Sequence, residues 1–236
     1  MAAAGKETKL AKQILGWCQE FGAEVRPCAD ALSKAIKQQE ENVAVKAADA
    51  LRELATTTIQ GSQRAAYKKQ GRNMLWAAKD LVKIMQQRDS QVALGHGNLA
   101  LASVHLTRVE PDAPIAALKA ATEARTSFQT AGLQLLEAKA LRLAMDAYGA
   151  KAALSPFDEA SKKADLDSAS EMATAACDLL QALGEQAEEA DVLARQAELL
   201  LSLLNEETYT QAEQAAEEAN LLYRELEKPQ RECEMM

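Results

Sequence analysis

Hydrophobic residues recur every three or four positions along most of the chain, which is the period of an amphipathic α-helix. Leu32 and Ile36 share one helical face, and Leu51 and Leu54 share another. Pro27 separates two of these stretches, because the residue before a proline is disfavoured in the helical conformation. The first four predicted helices cover residues 7–22, 28–39, 42–59 and 73–87.

From residue 73 onward the pattern repeats itself. Large side chains recur at spacings of 43, 52 and 43 residues, at Met85, Phe128, Leu180 and Tyr223. The residues four positions before them are Leu81, Ala124, Ala176 and Ala219. Small residues allow helix axes to approach closely, and a large residue fills the space that remains. We therefore expect the alanines to be buried at helix contacts and the large residues to be inserted between successive units.

Turns are predicted directly after two of the repeated segments. Gly132 and Gly184 occupy positions where a glycine can adopt a positive φ at a helix C-terminus without a Cβ clash. Each unit is thus predicted to be one helix, a tight turn and then a partner helix. Because such a helix pair cannot bury its apolar face alone, neighbouring units are expected to stack into a superhelix.

The repeated segments resemble a known family. The pattern Ala124-x-x-x-Phe128-x-x-Ala131 is similar to the second-helix signature of the tetratricopeptide repeat, and the segments that begin at Ala176 and Ala219 are similar to it. The first-helix signature is absent. The resemblance implies an all-α fold of antiparallel helix-turn-helix repeats stacked as a right-handed α-solenoid. It assigns residues 73–236 to divergent repeats and residues 1–72 to irregular capping helices or degenerate repeats.

The amino-acid composition supports helices and excludes large β-sheets. The chain has 49 Ala and 31 Leu among its 236 residues, but only 8 Val and 5 Ile. Alanine and leucine lose little conformational freedom in a helix, whereas a sheet needs β-branched and aromatic residues on its pleated surface. Sandwich, barrel and doubly wound folds are therefore excluded.

Charge is distributed unevenly along the sequence. The net charge is −8, which disfavours binding to nucleic acid or to an anionic membrane. Residues 1–157 hold 21 Lys/Arg against 15 Asp/Glu, whereas residues 158–236 hold 6 against 20. This division indicates either two surfaces with different partners or a drift in the composition of solvated helix faces.

The sequence predicts a cytoplasmic protein. No basic start followed by an apolar segment precedes the first helix, and the longest run of leucines is far shorter than the ~18–20 apolar residues of a membrane span. The four cysteines form no C-x-x-C motif and are expected to be small buried residues. Residues 229–236 resemble the start of a partner helix, which either acts as a short cap or continues in a longer polypeptide.

No residue pattern predicts catalysis, a cofactor site or a metal site. Gly5-Lys6-Glu7-Thr8 departs from a phosphate-binding loop because Glu7 interrupts its Gly-Lys-Thr order. His96, between two glycines, is expected at a helix start or a flexible turn, and His105 is expected to be packed or exposed. Nine residues of helix separate these two histidines by about 13.5 Å, too far for a shared metal ion.

A cluster of seven cations between residues 60 and 90 is the strongest candidate for a binding surface. Its members are Arg64, Lys68, Lys69, Arg72, Lys79, Lys83 and Arg88. Arg64, Lys68 and Arg72 follow one helical stripe, and Trp76 lies one turn further on. The cluster is a solvated stripe, a contact for an acidic peptide or a phosphate group, or, as the least favoured alternative, an RNA contact. The predicted partner-binding residues are Arg64, Lys68, Lys69, Arg72 and Trp76.

The resemblance implies a non-catalytic scaffold or adaptor that binds a peptide, a helix or another protein on the repeat groove. Two alternatives remain at this point. The chain could be a structural subunit of a large assembly, or a helical-bundle enzyme. An enzyme would require a closed pocket with converging polar groups, which the sequence does not indicate.

Overall fold

The computed structural model of the protein describes residues 2–21, 25–38, 40–60, 67–108, 110–154, 158–202 and 206–226. Within these ranges the chain forms ten α-helices and no β-strand, which confirms the all-α fold class. The helices are α1 (Ala2–Phe21), α2 (Arg26–Gln38), α3 (Val43–Gln60), α4 (Tyr67–Gln86), α5 (Gln91–Leu106), α6 (Ala113–Thr130), α7 (Gln134–Ala152), α8 (Glu159–Leu183), α9 (Gln186–Leu201) and α10 (Glu206–Glu225).

The chain forms two compact units, Met1–Ala131 and Gly132–Met236. Inside each unit, helices that follow one another in sequence pack against one another, as in a solenoid-like arrangement. The expected boundary between residues 72 and 73 lies inside α4, and one buried core extends from α1 to α5. The division into a capping segment and a repeat region remains a prediction.

Helix α5 lies at the centre of the first unit, packed against α3, α4 and α6. It is buried on almost every side, and it contains Gly95 and Gly97 within its helical turns. A Cβ at Gly95 would lie 2.6 Å from the Phe128 ring, and one at Gly97 would lie 2.6 Å from the Met85 sulfur. The expectation that His96 occupies a helix start or a turn is therefore wrong, because the glycines serve close packing inside the helix.

The second unit is built in the same way from α7 to α10. Ala173, Ala176 and Leu180 of α8 are buried together with Leu141 and Met145 of α7. Helix α8 ends at Gly184, whose φ of 72° confirms the predicted turn glycine. Gly132 likewise has a positive φ, of 69°.

The repeat register correctly predicts which side chains are buried. Ala124, Phe128, Ala176 and Leu180 are buried, and so are the equivalent large residues Met85 and Tyr223. The predicted partner of each repeated helix is the helix that follows it. This holds for α4, which packs more extensively on α5 than on α3, but not for α8, which packs more extensively on the preceding α7 than on α9; α6 likewise packs on the preceding α5. Phe128 shows the physical reason in the first unit: its ring lies against Gly95 of the preceding α5. Insertion of these residues between repeat units remains a prediction.

Candidate protein-binding groove

A groove of about 380 Å³ lies between α1 and α4 in the first unit. The residues that line it are Leu10 and Gln13 of α1 and Arg72, Asn73, Trp76, Ala77 and Asp80 of α4. The two helices are antiparallel, because Glu7 near the start of α1 is ion-paired with Arg88, which follows the end of α4. We call this feature the Trp76 groove.

Trp76 is the most exposed large hydrophobic residue of the described chain, at 76% of its surface. The helical period explains its position, since Ala77, Ala78 and Leu81 form the buried face of α4 and Trp76 lies on the opposite face. The other tryptophan, Trp17, is only 9% exposed. Burial of a tryptophan side chain is favourable in free energy, so an exposed tryptophan beside a groove indicates a contact surface.

Exposed cations lie on both helices that form the Trp76 groove. Arg72, Lys79 and Lys83 are exposed on the same stripe of α4 as Trp76. On α1, Lys6 lies four residues before Leu10 and Lys9 lies directly before it, and both lysines are exposed. Arg72, Lys6 and Lys9 form no ion pair with any residue in the described ranges. Asp80 is the acidic residue in the lining, with its Oδ1 3.9 Å from Lys83 Nζ.

The structure describes the side chains of two of the five predicted site residues. Arg72 and Trp76 line one groove, as their spacing on a helix led us to expect. Lys68 and Lys69 lie on α4, but their side chains, like the whole of Arg64, are outside the part of the chain that the structure describes. Their role in binding remains a prediction.

Arg88, a member of the predicted cluster of cations, is held by contacts within the first unit. Its guanidinium pairs with Glu7 and also donates to the backbone carbonyl of Glu41. Leu10 and Gln13 were missed from sequence, because they precede Trp76 by about sixty residues and no local pattern links them to it. The hydrophobic period within α1 could have indicated only which face of the helix these two residues occupy.

Cations in the second unit differ from those around the Trp76 groove, because they are largely neutralised by neighbouring carboxylates. Lys139 Nζ lies 3.1 Å from Glu188 Oε1, and Arg195 Nε donates to Asp146 Oδ1 at 2.7 Å. The charges of Asp146 and Glu198 raise the pKa of Arg195 against the effect of burial. These ion pairs hold α7 against α9 and leave little unpaired positive charge for a ligand.

The polar cluster that most resembles a catalytic group joins α3 to α5. His96 Nδ1 lies 2.8 Å from Asp49 Oδ1, and the imidazole meets Phe128 edge to face, with 5.5 Å between ring centroids. Burial alone would raise the pKa of Asp49, but the hydrogen bond with His96 and the nearby charges of Arg52 and Lys46 together lower it. Burial and the nearby carboxylate of Glu53 raise the pKa of the Cys28 thiol, which disfavours a thiolate nucleophile there. The cluster therefore supports packing rather than nucleophilic catalysis.

No group of three or more potential metal ligands occurs within the described residues. Of the described helices, none combines the length and the apolar character that crossing a bilayer requires. No protein-family model matches the chain, and no curated protein matches it with significant similarity. The resemblance to tetratricopeptide repeats therefore rests on the sequence motifs and remains a prediction.

Proposed function

We propose that the chain is a non-catalytic interaction scaffold or adaptor, and that its Trp76 groove binds an acidic helix or peptide of a partner protein. The observation that carries this proposal is the exposed Trp76 beside a groove that Arg72 lines, with further exposed cations on both of its helices. Grooves between two helices accept the apolar face of a third helix in many protein complexes. The proposed partner is a protein rather than a nucleic acid or a membrane.

The two parts of the groove would contribute differently to binding. Trp76 would become buried and supply much of the affinity, because tryptophans dominate the binding energy of many interfaces. Arg72, Lys79 and Lys83 would mainly raise the association rate and select acidic partners, and salt would screen their effect. Leu10 and Ala77 would form the apolar floor against which the partner packs.

We extend the proposal to a reducing, cytoplasmic compartment. The three described cysteines, Cys18, Cys28 and Cys177, are free thiols. Burial raises the pKa of Cys18 to about 11 and that of Cys177 to about 12, so both thiols remain protonated at neutral pH. Protonated, buried thiols behave as small apolar core residues.

Binding of two synthetic helical peptides tests this function. Both peptides carry the same leucine anchors, but one has glutamates and the other lysines at the flanking positions. Fluorescence anisotropy should show binding of the glutamate peptide only, weakened by added salt. Trp76→Ala should weaken binding by about tenfold or more, as expected for a central aromatic anchor.

Ile115→Ala provides a matched control, because Ile115 is a large exposed residue of α6 outside the groove lining. It should leave binding unchanged. Equal binding of the two peptides, or equal loss in the Trp76 and Ile115 variants, would show that the groove is not the binding surface.

A further inference from the structure

The exposed face of α10 has the chemistry that the Trp76 groove would select. Tyr209, Glu213, Glu217 and Leu221 follow one another at intervals of four residues and are all exposed. Tyr209 and Leu221 are 59% and 58% exposed, so two large apolar groups flank two carboxylates. We call this ridge the α10 acidic ridge. Side chains four residues apart form a continuous ridge on a helix surface, which can pack into the groove of another helix pair.

The dimensions of the two surfaces correspond. The α10 acidic ridge rises about 18 Å from Tyr209 to Leu221, and the cationic stripe of α4 rises about 16 Å from Arg72 to Lys83. The two glutamates are four residues apart, as are Lys79 and Lys83. An antiparallel or parallel approach of the ridge would thus place the carboxylates near these lysines and an apolar end near Trp76.

We infer that the α10 acidic ridge of one molecule binds the Trp76 groove of a second copy of the chain. This inference rests on the proposed function and names a second copy as the partner. Charge complementarity carries it, because exposed cations lie on both helices of the groove and the ridge has carboxylates between apolar anchors. One such contact leaves one groove and one ridge in the pair, which either bind each other and close a dimer or extend the assembly, so association grows with concentration in both cases.

Two charge-reversed variants of the full-length chain test the inference. In the first, Lys79→Glu and Lys83→Glu make the groove acidic; in the second, Glu213→Lys and Glu217→Lys make the ridge basic. Sedimentation velocity should show concentration-dependent association of the unmodified chain, reduced by salt. Each variant alone should associate at least about tenfold more weakly, because its groove and ridge carry like charges.

An equimolar mixture of the two variants should associate again, because both contacts in the mixture join opposite charges. Lys34→Glu with Lys37→Glu on α2 is the matched control, since both lysines are exposed on a helix that contributes no residue to the groove lining. It should associate like the unmodified chain, and circular dichroism should show unchanged helix content in all variants.

A monomeric chain at every concentration, or a mixture that fails to associate, would overturn the inference. The glutamate peptide described above separates this failure from that of the proposed function. If the peptide binds and the chain remains monomeric, the groove is a binding site for another protein. If the peptide does not bind and the chain does not associate, both proposals are wrong.

Discussion

At the residue scale, the contact between Gly95 and Phe128 fixes how closely α5 and α6 approach. Phe128 is fully buried, and its ring occupies the place where a Cβ at Gly95 would lie. We expect Phe128→Ala to lower the free energy of unfolding by about 3–5 kcal/mol through loss of burial and a residual cavity. Gly95→Ala should lower it by about 1–3 kcal/mol through overpacking.

The double variant provides a sharper test of this contact. The added methyl group would fill part of the space left by the ring, so the combined loss should be smaller than the sum of the single losses. Gly16→Ala is the control, since nothing lies within 4 Å of a Cβ there and helix propensity favours alanine by up to about 1 kcal/mol. Chemical denaturation measures all four variants, and strictly additive losses would contradict the contact.

His105 gives the first unit a pH dependence with a definite sign. Burial, with the positive charges of Arg108 and Lys79, lowers the pKa of His105 from 6.5 to about 4. The unfolded chain therefore binds a proton between pH 6.5 and 4 that the folded chain does not. The free energy of unfolding should fall as pH decreases through this range, by about 2 kcal/mol from pH 7 to pH 5.

A matched variant isolates the contribution of His105. His105→Gln keeps a polar group that can accept from Arg108, which lies 3.0 Å from His105 Nδ1, but it does not titrate. Urea denaturation at pH 7 and pH 5 should show a smaller loss in this variant than in the parent chain. Equal losses in the two proteins would mean that His105 titrates normally in the folded state.

At the scale of elements, one buried carboxylate joins three segments of the first unit. Glu7 of α1 accepts from the backbone N–H of Ala44 at 2.9 Å, in the first turn of α3, and pairs with Arg88 after α4. Glu7→Ala would leave that N–H unpaired and remove the partner of Arg88. We expect it to lower the free energy of unfolding by about 3–5 kcal/mol, as for other broken buried pairs.

The pair between Asp80 and Lys83 is the comparison for this prediction. It is largely exposed and its closest atoms are 3.9 Å apart, so Asp80→Asn should cost less than about 1 kcal/mol. Thermal and urea denaturation measure both variants. A loss for Glu7→Ala as small as that for Asp80→Asn would show that Glu7 does not join these segments.

Helices were predictable from sequence because their signals are local. The periodicity that predicts a helix over 42–59 corresponds to Val43–Gln60, and Pro27 lies in the first turn of α2, where proline is tolerated. Helix α5 was harder, because Gly95 and Gly97 lower helix propensity and only their packing against Phe128 and Met85 reveals why they are helical. The partner of each repeated helix could not be predicted, since a stripe of small residues fits either neighbour.

At the candidate site, too, contacts within one helix were predictable and contacts between helices were not. Arg72 and Trp76 were predictable because one turn of one helix joins them. Leu10 and Gln13 depend on how α1 packs against α4, and the ion pair between Glu7 and Arg88 depends on the same packing. Neither contact can be predicted from the sequence of a single helix.

At the scale of the whole molecule, the two units differ in how their cations are paired. Lys139 and Arg195 of the second unit lie against carboxylates, whereas Arg72 of the Trp76 groove is exposed and forms no ion pair within the described residues. A net charge of −8 therefore conceals a local basic surface around an exposed tryptophan. Such a surface would attract acidic segments at a distance and hold them through its apolar floor.

Quenching of tryptophan fluorescence by iodide reports whether an acidic helix covers Trp76. Iodide reaches the exposed Trp76 but not the buried Trp17, so the quenchable signal of the free protein reports the groove. Saturation with a tryptophan-free, glutamate-bearing helical peptide should abolish most of that quenching and shift emission to shorter wavelength, whereas the lysine-bearing peptide should have no effect. Trp76 that remains fully quenchable at saturating concentrations of the glutamate peptide would contradict the account.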